Sequence, residues 1–214
     1  MDTGPASRMA DHPDLSALAP GFPDPVHDAQ RCFRAVMMAM ARPGGTQDFN
    51  PSGLTPPAPL TPIGAALALT LFDYDTTIWL DKTLSASQPV SDFLKFHTGA
   101  RLVTEPADAT FALIADPASM PPLNAFHRGS PDYPDRSATL ILLNQLFAGP
   151  PDAVLTGPGV KDQERFATQP VPAGFWHQVQ ANNAQFPRGV DLVFAGSHKI
   201  AALPRSTTIT LPEA

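Results

Sequence analysis

Thr139-Leu-Ile-Leu-Leu143 is a continuous run of strand-forming residues with no polar position in alternation. A strand with one wet face alternates, whereas a strand covered on both faces reads as an unbroken apolar stretch. The run therefore predicts the central strand of a sheet lying between two layers. Upstream, Thr77-Ile-Trp-Leu80, Arg101-Leu-Val103 and Thr110-Phe-Ala-Leu-Ile114 read as further extended segments. A helix beginning at Ser87 or Ser91, passing through Phe93 and Phe96 and stopped by Gly99, separates the first two. Before them, Thr61-Pro62 opens a helix that runs through Leu67 and Leu71 to near Phe72. Earlier still, Asp24-Pro25 caps a helix over 25–41, with Phe33, Val36, Met37 and Met40 at helical spacing and Pro43-Gly44 as its stop.

Downstream, Val154-Leu-Thr156 is extended, and 172–185 reads as a helix with Phe175, Trp176 and Val179 on one side. Segments 190–194, 199–203 and 207–210 read as late strands, the first two joined by a turn at Gly196-Ser197. A short helix is expected over 119–126, a polar turn over 129–136 and a proline-rich loop over 51–62. Strands alternating with helices, then clustering at the end, give an α/β fold: a mixed β-sheet flanked by helices. Residues 1–22, rich in Pro, Asp, Ala and Gly, read as a flexible arm, leaving 23–214 as one domain.

At 214 residues the chain can bury about 70% of its extended surface, enough for a core without metals or disulfides. Charged residues make up only 16%, well below the usual quarter, and 26 prolines stiffen the loops. A surface so poor in charge suits one partly covered by a partner. The net charge of −6 argues against unspecific binding to nucleic acid or to a membrane surface. No export signal or membrane span is expected, and the single cysteine, Cys32, fits a reducing, cytoplasmic setting. Cys32 lies on an apolar helical pattern and reads as packing.

The sequence holds few residues in a pattern that carries chemistry. No phosphate loop of the Walker type and no Gly-x-Ser-x-Gly elbow occurs. The six histidines are scattered, and one cysteine cannot build a cysteine-rich metal site. Asp73-Tyr-Asp75 reads either as a carboxylate pair or as an acidic turn. Gly157-Pro-Gly159 offers backbone amides to an anion or simply makes a tight turn. Arg188 and Arg205 each follow a proline at a strand margin, which restricts where the guanidinium points. They are candidate phosphate ligands, or structural arginines paired with Asp191 or a carbonyl. Met37, Met38 and Met40 line either a core face or a partner groove.

Several stretches in a fixed order carry a family resemblance. They are the first helix with its Arg42-Pro-Gly44 end, Asp75-Thr-Thr-Ile-Trp-Leu80, Phe96-His-Thr98, Ala109-Thr-Phe-Ala112, Thr139-Leu-Ile141, Leu155-Thr-Gly-Pro-Gly159, Phe186-Pro-Arg-Gly-Val-Asp191 and Leu203-Pro-Arg-Ser-Thr207. Together they resemble the PhnH family of the bacterial carbon–phosphorus lyase system, from about Val26 to Thr208. The longer proline-rich beginning and the 148–153 turn depart from it mildly. The resemblance implies a degenerate version of the large domain of pyridoxal-phosphate-dependent transferases, without that cofactor or any other. It implies a homodimer in a core complex with PhnG, PhnI and PhnJ, in alkylphosphonate breakdown. There the subunit would support formation of ribose 1-phosphonate 5-triphosphate from a nucleoside triphosphate, as an assembly subunit with no catalytic residue of its own. A phosphate- or nucleotide-binding or weakly catalytic subunit using Arg188, Arg205, Gly157 and Gly159 is the alternative, and a working pyridoxal-phosphate enzyme the third. Of the four lysines, Lys199 is the least unsuited to a Schiff base.

Overall fold

The computed structural model describes residues 18–211. The fold is built on a seven-stranded mixed sheet, and Thr139–Leu142 is its middle strand. In chain order the strands are β1 (Gln47–Asp48), β2 (Thr77–Leu80), β3 (Arg101–Val103), β4 (Phe111–Ile114), β5 (Thr139–Leu142), β6 (Ala153–Thr156), β7 (Glu164–Phe166), β8 (Asp191–Ala195), β9 (Lys199–Leu203) and β10 (Thr208–Thr210). The large sheet has the order β1-β9-β8-β5-β4-β2-β3, and β10-β6-β7 form a second, antiparallel sheet. Strands β3, β2, β4, β5 and β8 are parallel, while β9 runs against both β8 and β1. The hairpin between β8 and β9 turns at Gly196-Ser197, as the sequence predicts.

One face of the large sheet carries Ile78, Leu113, Ile141, Val193 and Ala202, packed under α1 (Pro25–Ala41), α2 (Pro62–Leu71) and α4 (Gln88–Thr98). Helix α2 is buried from Ile63 to Ala68, which is why it reads as apolar on every side. It lies so close to the sheet that a Cβ on Gly64 would stand 2.8 Å from Leu143 Cδ1. A short helix, α3 (Lys82–Ser85), links β2 to α4. The opposite face carries Ile114, Leu140, Leu142, Leu192, Phe194 and Leu203. It is covered by the small sheet and by α5 (Phe175–Asn183), with Phe166, Phe175, Trp176 and Phe194 meeting at ring separations of 5.2 to 6.3 Å. The outcome is three layers, as the Thr139 run requires.

Three expectations change. The helix over 119–126 is instead two 3-10 turns, Pro117–Ser119 and Leu123–Ala125. Pro121 and Pro122 stand between them and remove two backbone donors that a helix needs. The helix over 172–185 is shorter, entered through Gly174 in the left-handed region. In α1 the inward residues are Cys32, Ala35, Val36 and Ala39, while Phe33 and Met37 point outward. Small side chains face α2 because the two helices pack closely. Residues 1–17 of the expected arm lie outside the described residues. Its end is packed: Ala19 and Phe22 rest on the core, and His97 Nε2 lies 2.9 Å from the Ala19 carbonyl.

Candidate functional site

In an open parallel sheet, ligands tend to bind beyond the carboxyl ends of the strands, where successive connections diverge. Here that point lies between β2, whose connection leads outward to β3, and β4, whose connection leads inward to β5. The crevice is filled by Asp81, which follows β2 directly and is buried. Its Oδ2 accepts from the amides of Ala115 and Asp116, each at 2.8 Å, and its Oδ1 accepts from Leu84 N at 2.9 Å, capping α3. Asn144, with φ of 59°, closes the neighbouring strand end by donating from Nδ2 to the Ala115 carbonyl at 2.9 Å. The amides that would greet an anionic ligand are thus taken by the protein's own carboxylate. Sequence reasoning passed over Asp81, although Asp followed three residues later by a buried Leu, directly after a strand, is a helix-cap signal.

The residues expected to bind phosphate do not gather. Arg205 is almost buried, and its guanidinium is engaged: Nη2 lies 3.1 Å from Asp191 Oδ2, and Nη1 donates to the carbonyls of Pro134 and Gly189 and to Ser137 Oγ. Its backbone amide donates to Asp191 Oδ1 at 2.7 Å. Burial raises the Asp191 carboxyl above the usual carboxylate range, against the pull of the Arg205 amide and guanidinium. Arg188 is half-buried and makes no side-chain hydrogen bond or ion pair among the described residues. Gly157 and Gly159 form an exposed turn against the end of α1, where a Cβ on Gly159 would collide with the Ala41 carbonyl oxygen. Asp73 and Asp75 make a tight turn in which Asp75 N donates to Asp73 Oδ1 at 3.0 Å.

All four lysines are exposed, and Lys199 pairs loosely with Asp48 at 3.6 Å. Lys82 lines an open groove of about 420 Å³ with Trp79 and Leu102, but none of the four is buried as a sheltered Schiff-base lysine would be, so these residues do not fit pyridoxal phosphate. Among the described residues no three His, Cys, Asp or Glu side chains group as metal ligands, and no helix is long and apolar enough to cross a membrane.

The other prominent surface is the outer side of α1. Val26, Phe33 and Met37 are exposed by 63%, 51% and 53%. They recur at seven and four residues, so they form one stripe. Beside it, a groove of about 760 Å³ runs toward β1, lined by His27, Arg31, Arg34, Met38, Asp48 and Phe49.

The model of the family described as "Bacterial phosphonate metabolism protein (PhnH)" matches residues 20–210. This chain belongs to the PhnH family. A Rhizobium meliloti (strain 1021) relative, named alpha-D-ribose 1-methylphosphonate 5-triphosphate synthase subunit PhnH, is 38% identical over 188 residues, 88% of this chain and 93% of that protein. A Stutzerimonas stutzeri relative, named putative C-P lyase subunit protein HtxG, is 32% identical over 187 residues, 85% of this chain and 86% of that one. For a PhnH-family chain, the absence of a gathered set of reactive groups around Arg188, Arg205 and the Gly157 turn turns attention to surfaces, and α1 is the most apolar of those described above.

Proposed function

We propose that this chain is an accessory subunit of a bacterial carbon–phosphorus lyase system, acting in formation of a ribose 1-phosphonate 5-triphosphate. The observation that carries the reading is the 38% identity, over nearly the whole of both chains, to a protein named as a subunit of such a synthase. Its proposed sister subunits are PhnG, PhnI and PhnJ, and its proposed compartment is the cytoplasm. The plugged crevice at Asp81 and the dispersed arginines support an assembly role over a catalytic one. A second copy of this chain is the proposed occupant of the α1 stripe, because exposed Phe and Met at helical spacing suit a helix-to-helix contact. A degenerate pyridoxal-phosphate transferase fold is also proposed. The mixed sheet covered on both faces supports it in outline, and the exposure of every lysine supports the loss of that chemistry.

Copurification with tagged PhnG, PhnI and PhnJ tests the assembly reading. A stable complex containing this chain is expected, and consistent failure to assemble would overturn it. An absorbance band of a Schiff base after adding pyridoxal phosphate would restore the cofactor-enzyme alternative.

A further inference from the structure

We propose that the cavity between the Leu123 turn and the outer side of α5 binds a small tetrahedral oxyanion, a phosphate or phosphonate group, through Arg128. The cavity measures about 110 Å³. Its lining includes Leu123, Asn124, Arg128, Gln178, Asn182 and Gln185, and no carboxylate.

The walls are held in place before any ligand arrives. Gln178 Oε1 accepts from Leu123 N at 2.9 Å, which ties the turn to α5. Asn182 grips Val190 from both sides, donating to its carbonyl at 2.9 Å and accepting from its amide at 2.8 Å. The Arg128 carbonyl accepts from Gly189 N at 3.0 Å, which anchors the arginine's own backbone. Arg128 Nη1 donates to Gln185 Oε1 at 2.7 Å, and that contact aims the guanidinium. Fixed walls matter because a site that is already ordered loses little entropy on binding.

Arg128 is half-buried, and the Gln185 bond is its only side-chain hydrogen bond among the described residues. No carboxylate of those residues stands within ion-pair distance. The contrast with Arg205, whose donors meet a carboxylate, two carbonyls and a hydroxyl, is direct. A guanidinium carries five N–H donors in a planar fork that matches the oxygens of phosphate or phosphonate in pairs. The Asn124 side-chain amide, also without a partner among the described residues, adds donors at the rim. Leu123 and Ala181 supply an apolar wall for one short substituent. The volume suits a single small group and is well below the roughly 300 Å³ at which sites for drug-sized molecules begin, so only a part of a nucleotide would fit inside it. The proposal stands on this cavity alone and does not need the assembly reading.

The test titrates full-length protein with inorganic phosphate, methylphosphonate, acetate and chloride, by calorimetry and by chemical-shift changes. Saturable binding of phosphate or methylphosphonate at roughly millimolar strength is expected, with none for chloride. The tighter of the two identifies the natural group, and either order supports the site. Acetate bound as tightly as both would overturn the tetrahedral assignment. Arg128→Ala should weaken binding by about tenfold or more. Ala181→Leu fills the cavity and leaves the guanidinium intact, so it carries the test if the first variant misfolds, and it should weaken binding by about as much. Arg165→Ala, on β7, should bind like the wild type. No saturable binding, or binding that survives Ala181→Leu, would overturn the proposal.

Discussion

Asp81 shows how much one carboxylate can organise. Its three amide contacts join β2, α3 and the end of β4. Asp81→Ala orphans these donors in a buried place and should cost about 3 kcal/mol, read as a lower urea midpoint. Asp81→Asn keeps an acceptor and should lose less. Arg205 and Asp191 form the second sensitive pair, exposed by only 18% and 12% at their side chains. Removing the arginine strands a buried carboxylate, so Arg205→Ala should cost about 3 kcal/mol at neutral pH. The pH dependence has a definite sign. Burial already holds the Asp191 carboxyl above its ordinary value. A folded value above the unfolded one means that ionisation opposes folding, so the contribution is lost as pH rises through that window. Without Arg205 the window widens upward, and the variant should regain part of its stability in mildly acidic buffer relative to neutral buffer. Equal losses at both pH values would contradict this account. Cys32 is simpler: burial pushes its thiol up to about 11, against a weaker pull from Thr70. It should resist thiol reagents in the folded protein and react once urea unfolds it.

At the scale of elements, α1 is the one to perturb. Phe33→Asp with Met37→Asp places charge on its outer stripe and touches nothing in the core. The self-association proposed above, measured by sedimentation, should fall, while the circular dichroism spectrum stays unchanged. Loss of helix signal would mean that the stripe is structural after all. The sequence made α1 legible as a helix, down to its Asp24 cap, and read Cys32 as packing, but its apolar spacing grouped the outward Phe33 and Met37 with the buried Val36. Every side of its apolar pattern looks core-like, and only the close approach of α2 decides that Cys32, Ala35 and Ala39 go inward. The Thr139 run, the α2 cap at Thr61 and the Gly99 stop were readable because each rests on local chemistry. Strand β7 was not, since Glu164-Arg-Phe166 is polar and owes its pairing to β6. The same limit applies to sites. Arg128 carries no motif, and its distinction from Arg205 lies wholly in what surrounds each guanidinium.

Over the whole molecule, two apolar layers share one sheet. Ile141 belongs to the helical side and Leu140 to the other, and both are fully buried. Truncation of either to Ala should cost about 3 kcal/mol. Trp79 and Trp176 both pack on the α5 side, so fluorescence reports that layer, whereas circular dichroism sees every helix. Coincident urea transitions by the two signals are expected in both variants, because the shared strands couple the layers. Separate midpoints would mean that the layers melt independently. The borders of the large sheet carry a final consequence. β1 offers two residues and β3 only three, too little backbone for a neighbouring chain to extend the ladder. Head-to-tail strand addition, β1 of one copy to β3 of the next, would propagate without end. Contact through a helix flank closes on itself under two-fold symmetry, so such a protein should form particles of fixed size, not filaments.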